Sequence, residues 1–487
     1  MQIQLLDGAY EARSVIAANQ RCINLYPEVN QLSPAAPIPQ PITPAIVTHY
    51  PTPGLQLLAT VGTGPIRGIY VASNGATYVA SGSFLYSLDV NFTPNELGYI
   101  GSLTTPVSMI DNGATLVVVD GSPFGFQVDL ATNALSQISD PAFYGADRAD
   151  YIDTYLVFNK PDSSFFYTTL SNQVVPFDAT YIAGKTGFVD RIVSVVMVHN
   201  ELWLIGEQTS EVWYNAGGST FPFARVQGSF IQMGCAAKYS IASAENAVFW
   251  LSQNKQGERM VMAGSAYQAQ RISTHAIEYA LAGYSDVSDA IGMIYQQQGH
   301  TFYVLTFPTA DKTWVFDLST QLWHERAWSD DSGQLHRIRA NCMAHANGQV
   351  LAGDWQNGDL YAVSEDIYTD NGQPIVRIRS FPTFQNELQR VMYQGFMADM
   401  EVGSATFNAD TAANQAALLV WLRWSDDGGK SWSEPVYRSL GAIGETLTSL
   451  KWRRLGVGRR RVFELQWSAA VHTALNGAYI DVTPTVS

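Results

Sequence analysis

The sequence predicts an all-β protein: a β-propeller of six or seven blades with an extended N-terminal arm and a C-terminal β-sandwich domain. Three observations carry this expectation. Of 487 residues only 15% are charged and 12% are aromatic, while 39 Gly and 21 Pro are present, a mixture that favours strands and tight turns over solvated helices. A phrase of apolar strand, turn, aromatic strand and turn returns repeatedly from Arg67 onward. Beyond about residue 366 that phrase stops and isolated alternating strands take over. The length itself calls for two or three structural units at roughly 150 residues each.

Residues 1–56 are the expected arm. Between Ser33 and Gly54 the stretch "SPAAPIPQPITPAIVTHYPTPG" holds seven prolines. Proline fixes φ and removes a donor, so an extended segment rather than a ladder strand is expected there.

Residues 57–366 are the expected propeller. "GIYVASNGATYVASGSFLYSLD" and "VSMIDNGATLVVVDGSPFGFQVDL" share an NGAT turn at 74 and 112. If Tyr78, Leu116, Tyr155, Trp203, Phe249, Phe302 and Val350 are equivalent second-strand anchors, the spacings are 38, 39, 48, 46, 53 and 48. Such periods suit four-stranded blades, which bury both faces only by stacking in a ring. Seven phrases are visible; a mis-split phrase would leave six, and the last blade can borrow a strand from elsewhere in the chain.

Residues 367–487 are the expected sandwich. In "RVFELQWSA", Val462, Glu464 and Gln466 alternate with Phe463, Leu465 and Trp467, as in a sheet with one buried face. The Ala- and Asn-rich stretch "GSATFNADTAANQAA" (403–417) has no counterpart in the rest of the pattern.

Charge narrows the function classes. With 28 Lys and Arg against 43 Asp and Glu, the net charge is −15, so the long-range field repels nucleic acid and anionic membrane. The start "MQIQLLDGAYEARS" lacks a basic region followed by an apolar core, and no apolar run reaches the roughly 18 residues that span a bilayer. Neither signal-led export nor membrane insertion is expected. Cys22, Cys235 and Cys342 are odd in number and lack CxxC spacing, so buried free thiols of a reducing cytosol are expected.

The stretch "WSDDGGKSWSEP" raises a specific chemical possibility. Ser425, Asp427, Gly429, Ser431 and Trp432 fit the Asp-box, the hairpin turn that recurs around sialidase propellers. A glycosidase also needs paired carboxylates, or a tyrosine nucleophile with an arginine cluster. Here one complete copy lies outside the repeats. A near-copy, "WSDDSGQLH", keeps Ser329, Asp331 and Gly333 but has Leu335 and His336 in place of Ser/Thr and Trp. The box is expected to act as a turn: Asp427 holds it, Gly429 permits it, and Trp432 packs beneath. A sugar-binding or sialidase-like glycan-processing propeller is the alternative reading.

Other candidates reduce to structure. In "RISTHAIEYAL", Ser273, His275 and Glu278 are too close in sequence for a triad assembled from distant segments. A helix starting at Thr274 places Glu278 in its first turn, near capping geometry. His199, His300, His324, His336 and His345 form no metal-binding pair, and no phosphate-binding glycine motif follows a strand. No catalytic, cofactor or metal residue is assigned. One basic cluster remains, Lys451, Arg453 and Arg454 followed by Arg459, Arg460 and Arg461, with Trp452 among them. It is a candidate assembly contact, because arginine is favoured where carboxylates or phosphates are recognised at interfaces.

Several phrases together carry a resemblance: "SVIAANQRCINLYPEV" (14–29), "YPTPGLQLL" (50–58), "GPIRGIY" (64–70), "GCAAKYSIA" (234–242), "VFWLSQNKQG" (248–257), "RISTHAIE" (271–278) and "WRRLGVGRRRVFEL" (452–465). In order along nearly the whole chain, they resemble the packaged-DNA stabilisation proteins, also called tail hub or nozzle proteins, of short-tailed bacteriophages. The resemblance implies a structural virion protein of the tail, made in the host bacterial cytoplasm. It implies a homohexameric ring below the portal and its adaptor, at the head-to-tail connection. Such a ring continues the DNA channel, retains the packaged genome until ejection, and carries a tail needle or plug and tail fibres or spikes. Genomic DNA would pass without specific binding, and the family supplies no catalytic residue to transfer.

Overall fold

The computed structural model describes residues 2–3, 8–29, 47–101, 104–254, 256–403, 418–441 and 444–485. Among these, seven four-stranded antiparallel units follow one another. Five are separate sheets: Ile66–Val71 to Pro94–Tyr99, Ser108–Asp111 to Leu135–Gln137, Ala149–Ile152 to Ile182–Gly184, Ile192–Val198 to Phe223–Arg225, and Ala242–Ala244 to Gln268–Arg271. The sixth runs from Ile291–Gln297 to Leu322–Glu325. The seventh comprises Ala340–Ala346, Gln349–Asp354 and Asp359–Ser364, and its fourth strand is Gly54–Thr60, paired antiparallel to Asp359–Ser364. The ring therefore closes with a strand borrowed from early in the chain.

All seven expected anchors, from Tyr78 to Val350, fall on second strands. Those strands are mostly apolar at their centres because each sheet is covered on both faces by its neighbours. Val117 and Leu116, adjacent on one strand, join different core clusters, which is the sequence signature of a strand with no solvated side. The two NGAT turns lie side by side on adjacent units. Gly75 and Gly113 take φ of +83° and +90°, and Asp111 ties the turns together by accepting hydrogen bonds from Ser73 Oγ (2.6 Å), Ser73 N (3.0 Å) and Tyr70 Oη (2.9 Å).

The sandwich has two sheets. One orders Leu450–Arg453, Val391–Met400, Leu475–Pro484, Val47–Pro51 and Leu25–Val29, with Gln2–Ile3 also paired to Leu475–Pro484. The other orders Arg377–Ser380, Arg460–Trp467, Leu419–Ser425 and Val436–Ser439. This second sheet is continuous with the sixth propeller unit: Cys22–Ile23 pairs parallel to the strand Leu322–Glu325 on one side and antiparallel to Arg377–Ser380 on the other. One hydrophobic core accordingly includes Leu305, Phe316 and Trp323 of the propeller together with Phe396, Phe463 and Trp467 of the sandwich.

Two expectations need correction. Part of the proposed arm is ladder strand: Val47–Pro51 pairs with Leu25–Val29, and Gly54–Thr60 closes the ring. Proline is tolerated there because Leu25–Val29, which contains Pro27, is an edge strand and Pro51 ends its own. Residues 30–46, which hold most of the prolines, lie outside the described residues, as do 404–417 of the Ala- and Asn-rich stretch. Second, Glu464 does not face solvent; it is completely buried. The N-terminal segment covers that face, with Arg21 Nη1 at 3.4 Å from Glu464 Oε2 and Arg379 Nη1 donating to Gly8 O at 3.0 Å.

Candidate functional site

The Asp-box forms the turn after the strand Leu419–Ser425. Asp427 Oδ1 accepts from the backbone N–H groups of Lys430 and Ser431, both at 2.9 Å, and Oδ2 accepts from Ser431 Oγ at 2.6 Å. Ser425 Oγ donates to Asp427 Oδ1 at 2.7 Å and accepts from Gly429 N at 2.7 Å. These donors hold the Asp427 carboxyl well below the usual carboxylate range, with the Ser431 hydroxyl as the largest cause. Gly428 and Gly429 adopt φ of +80° and +97°, which only glycine takes without strain. Both Asp427 oxygens and Ser425 Oγ are thus taken up in holding the turn.

Trp432 is half-buried rather than tucked fully beneath the hairpin. Its ring lies against the Arg423 guanidinium, 4.5 Å from the ring centroid. Arg423 in turn donates through Nε (2.7 Å) and Nη2 to the buried Glu464 carboxylate, which also accepts from Ser380 Oγ at 2.7 Å. The turn also anchors the N-terminal segment: Asn19 Nδ2 donates to Gly428 O at 2.9 Å, and a Cβ on Gly429 would overlap Asn19. In the near-copy, Asp330 rather than Asp331 holds the turn, accepting from Ser332 N and Gln334 N at 2.9 and 2.8 Å. His336, where the pattern wants Trp, lies tilted against Trp328 with ring centroids 5.2 Å apart.

The segment Ser273–Glu278 is a capped helix start. Thr274 is the N-cap of the helix His275–Ala282, its side chain accepting from Ile277 N. Ser273 Oγ bonds Glu278 Oε1 directly at 2.7 Å, and Arg271 pairs with the same carboxylate. His275 is exposed beside Arg271, so the partner of Ser273 is the Glu278 carboxylate, itself paired to Arg271, and not the imidazole. Cys22 and Cys235 are buried free thiols and Cys342 is partly buried; burial pushes Cys235 up to about 11 and Cys342 up to about 12. Among the described residues no group of three His, Cys, Asp or Glu is arranged to hold a metal ion. No helix among them is long and apolar enough to cross a membrane.

The basic cluster divides in two. Trp452 is buried, donating Nε1–H to Val436 O at 2.7 Å and packing edge-on against Phe396. Arg461 is buried as well: Nε and Nη2 grip Asp426 at 2.6 and 2.8 Å, Nη1 reaches Leu455 O, and the guanidinium lies 4.2 Å from the Tyr393 ring centroid. These two side chains serve the chain's own packing. Arg453, Arg454 and Arg459 are exposed and Arg460 is partly so. The strand Leu450–Arg453 and the strand Arg460–Trp467 belong to different sheets, because the turn between them crosses from one layer of the sandwich to the other.

The first strands of six units line a cavity of about 360 Å³, with Arg67, Tyr70, Arg148, Asp150 and Asn341 among its residues. Burial raises Asp150 to about 6. Arg67 is buried and bonds Asp120 Oδ2 at 2.9 Å, Thr105 O and Gly82 O. Sequence reasoning singled out neither Arg67 nor Asn24, whose roles depend on partners far along the chain.

Residues 1–368 match the family model described as Bacteriophage P22 Gp10, beta-propeller, and residues 377–483 match that described as Bacteriophage P22 Gp10, beta-sandwich. The chain belongs to the bacteriophage P22 Gp10 family. Members of this P22 Gp10 family are phage stabilisation proteins, structural components of the virion and generally non-enzymatic. That assignment agrees with an Asp-box whose Asp427 carboxylate is engaged in its own turn. No curated protein matches the chain. Similar solved structures include the computationally designed Ika8 protein, at 10% identity and TM-score 0.39 over 63% of this chain and 99% of that one. The WD40 beta propeller domain of Doa1 is 12% identical with TM-score 0.40, covering 64% and 96% of the two chains. The N-terminal domain of Nup159 is 10% identical with TM-score 0.37, covering 65% and 95%.

Proposed function

We propose that this P22 Gp10 family chain is the subunit of a homohexameric tail hub. The ring sits below the portal and its adaptor, continues the DNA channel, retains the packaged genome and carries the tail needle or plug and the fibres or spikes. The observation that carries this reading is the continuous sheet from propeller to sandwich, stitched by Cys22–Ile23. A subunit that bears the pressure of packaged DNA needs its domains fused rather than hinged, and a shared core with laddered backbone resists relative motion.

Two further observations support the same reading. The first-strand cavity of about 360 Å³ has the volume of a small-ligand pocket, so a DNA channel would have to run between subunits. A chain of net charge −15 offers a duplex few phosphate-binding sites, which lets DNA slide during ejection. Negative-stain images of the purified chain, or of tails that contain it, test the proposal. A six-fold ring with an axial channel is the expected result; a monomer that releases sugar from a glycan panel would overturn it.

A further inference from the structure

The charge of this chain is unevenly distributed. Residues 377–487 carry 12 Lys and Arg against 10 Asp and Glu, whereas residues 1–376 carry 16 against 33. The sandwich is therefore slightly basic on a strongly acidic protein. Several of its cations are buried, namely Arg377, Arg379 and Arg461. Of the exposed ones, all but Lys430 lie along one border of the sheet that contains Val391–Met400.

Register places them together. Lys451 pairs with Met397 and Arg453 with Gly395, Arg454 N donates to Gln394 O, and Arg459 Nη1 reaches Leu388 O at 2.9 Å. Arg390 directly precedes the same strand. Lys451, Arg453, Arg454, Arg459 and Arg390 are all exposed. Among the described residues none of the five has a carboxylate within ion-pair distance, whereas the exposed Arg191 and Arg271 and the half-buried Lys238 and Lys312 are paired. Between the cations lie Met392 and Val457, cross-strand partners that are 40% and 43% exposed, with Leu388 beside them at 46%.

Unpaired arginines interleaved with exposed apolar side chains make the composition of a protein–protein contact rather than a solvated face. A DNA-binding strip would work against the field of a −15 chain and would gain nothing from Met392 and Val457. We propose that this strip is a docking face for an acidic protein surface, and that the surface it fits is the propeller of a second copy of this chain. The contact is head-to-tail: basic sandwich border of one subunit against acidic propeller of the next, the heterologous geometry that a closed ring requires. This inference rests on the ring reading above and adds the faces that meet.

The test uses the full chain, with self-association followed by sedimentation velocity at about 50, 150 and 500 mM salt. Wild-type association should weaken as salt rises. The triple variant R453E/R454E/R459E should associate at least about tenfold more weakly, and R453K/R454K/R459K should retain association, because charge carries the steering. Thermal melting checks the fold; if the triple reversal melts early, R453E and R459E are read singly. Mixed with wild type, the reversed variant keeps its acidic face and should cap growing assemblies at substoichiometric amounts. Equal association of wild type and reversed variants overturns the docking face and leaves the ring reading intact. A wild type that stays monomeric at every concentration overturns both. A strip whose reversal abolishes binding to a short duplex while self-association persists assigns it to nucleic acid and overturns the proposal.

Discussion

Asn24 and Ala327 exchange two hydrogen bonds, Asn24 Nδ2 to Ala327 O at 2.8 Å and Ala327 N to Asn24 Oδ1 at 2.9 Å. The side-chain amide imitates a strand neighbour, and a further bond from Nδ2 to Val376 O at 2.8 Å makes one residue bridge the propeller and the sandwich. Asn24 sits at φ +55°, which Asn accepts more readily than most residues.

Replacing Asn24 tests that bridge. Asn24→Ala leaves a buried N–H and two carbonyls without partners and should cost about 3 kcal/mol. Asn24→Gly loses the same bonds but relieves the left-handed backbone, and should cost about 1 kcal/mol less. Denaturant unfolding followed by tryptophan fluorescence gives both values. Equal stability of Asn24→Ala and wild type would remove the bridge from the account of domain fusion.

The arginine cluster should split under substitution. Arg461→Ser empties a packed site beside Tyr393 and leaves Leu455 O without its donor, while the half-exposed Asp426 turns to water, so a loss of about 2–3 kcal/mol is expected. Arg459→Ser, on an exposed side chain, should stay within about 0.5 kcal/mol of wild type. Melting temperatures of the two purified variants decide the matter, and similar shifts would contradict the buried role of Arg461.

His324 gives the fold an acid-side weakness. It is fully buried on the strand Leu322–Glu325, edge-on to Phe302, and burial pushes it down to about 3. Its folded pKa lies below the unfolded value near 6.5, so the unfolded chain takes up a proton first as pH falls. Stability is whole above about pH 6.5 and declines toward pH 3 at about 1.4 kcal/mol per unit. His300, raised chiefly by its hydrogen bond to Asp317, acts with opposite sign: its contribution is present at acid pH and lost as pH rises through its folded pKa. In His324→Leu, stability relative to wild type should improve by about 2 kcal/mol between pH 7.5 and pH 5. Parallel pH profiles for the two proteins would count against a neutral buried imidazole.

Loosening the Asp-box should free the N-terminal segment rather than any chemistry. Asp427→Ala removes the acceptor for Lys430 N and Ser431 N and displaces Gly428 from Asn19. Limited proteolysis should then cut faster within residues 12–18, with Asp427→Asn intermediate. Unchanged cleavage would show that the segment holds its place without the turn.

The propeller was legible because its information is local. Each unit announces itself through an apolar second strand and a turn such as NGAT, and the anchors from Tyr78 to Val350 landed on those strands. The N-terminal segment was illegible for the opposite reason. Nothing near Cys22–Ile23 shows that its ladder partners are Glu325 and Ile378, and proline content around Pro51 pointed away from a strand that only its edge position permits. Glu464 misled by alternation alone, since the cover over its face comes from residues far off in sequence. The same distance hid the burial of Arg461, whose neighbours Arg459 and Arg460 suggest a common surface.

The early strands of this chain have late partners. Gln2–Ile3 waits for Leu475–Pro484, and Gly54–Thr60 waits for Asp359–Ser364. At about 5–20 residues per second on the ribosome, ring closure lags the appearance of its first strand by roughly 15 to 60 seconds. Through that interval an apolar edge stands unpaired, which is the condition under which strands find wrong neighbours. Biosynthesis therefore leaves the Gly54–Thr60 edge open until Asp359–Ser364 has been made, and whatever shields that edge in the interval favours the native pairing.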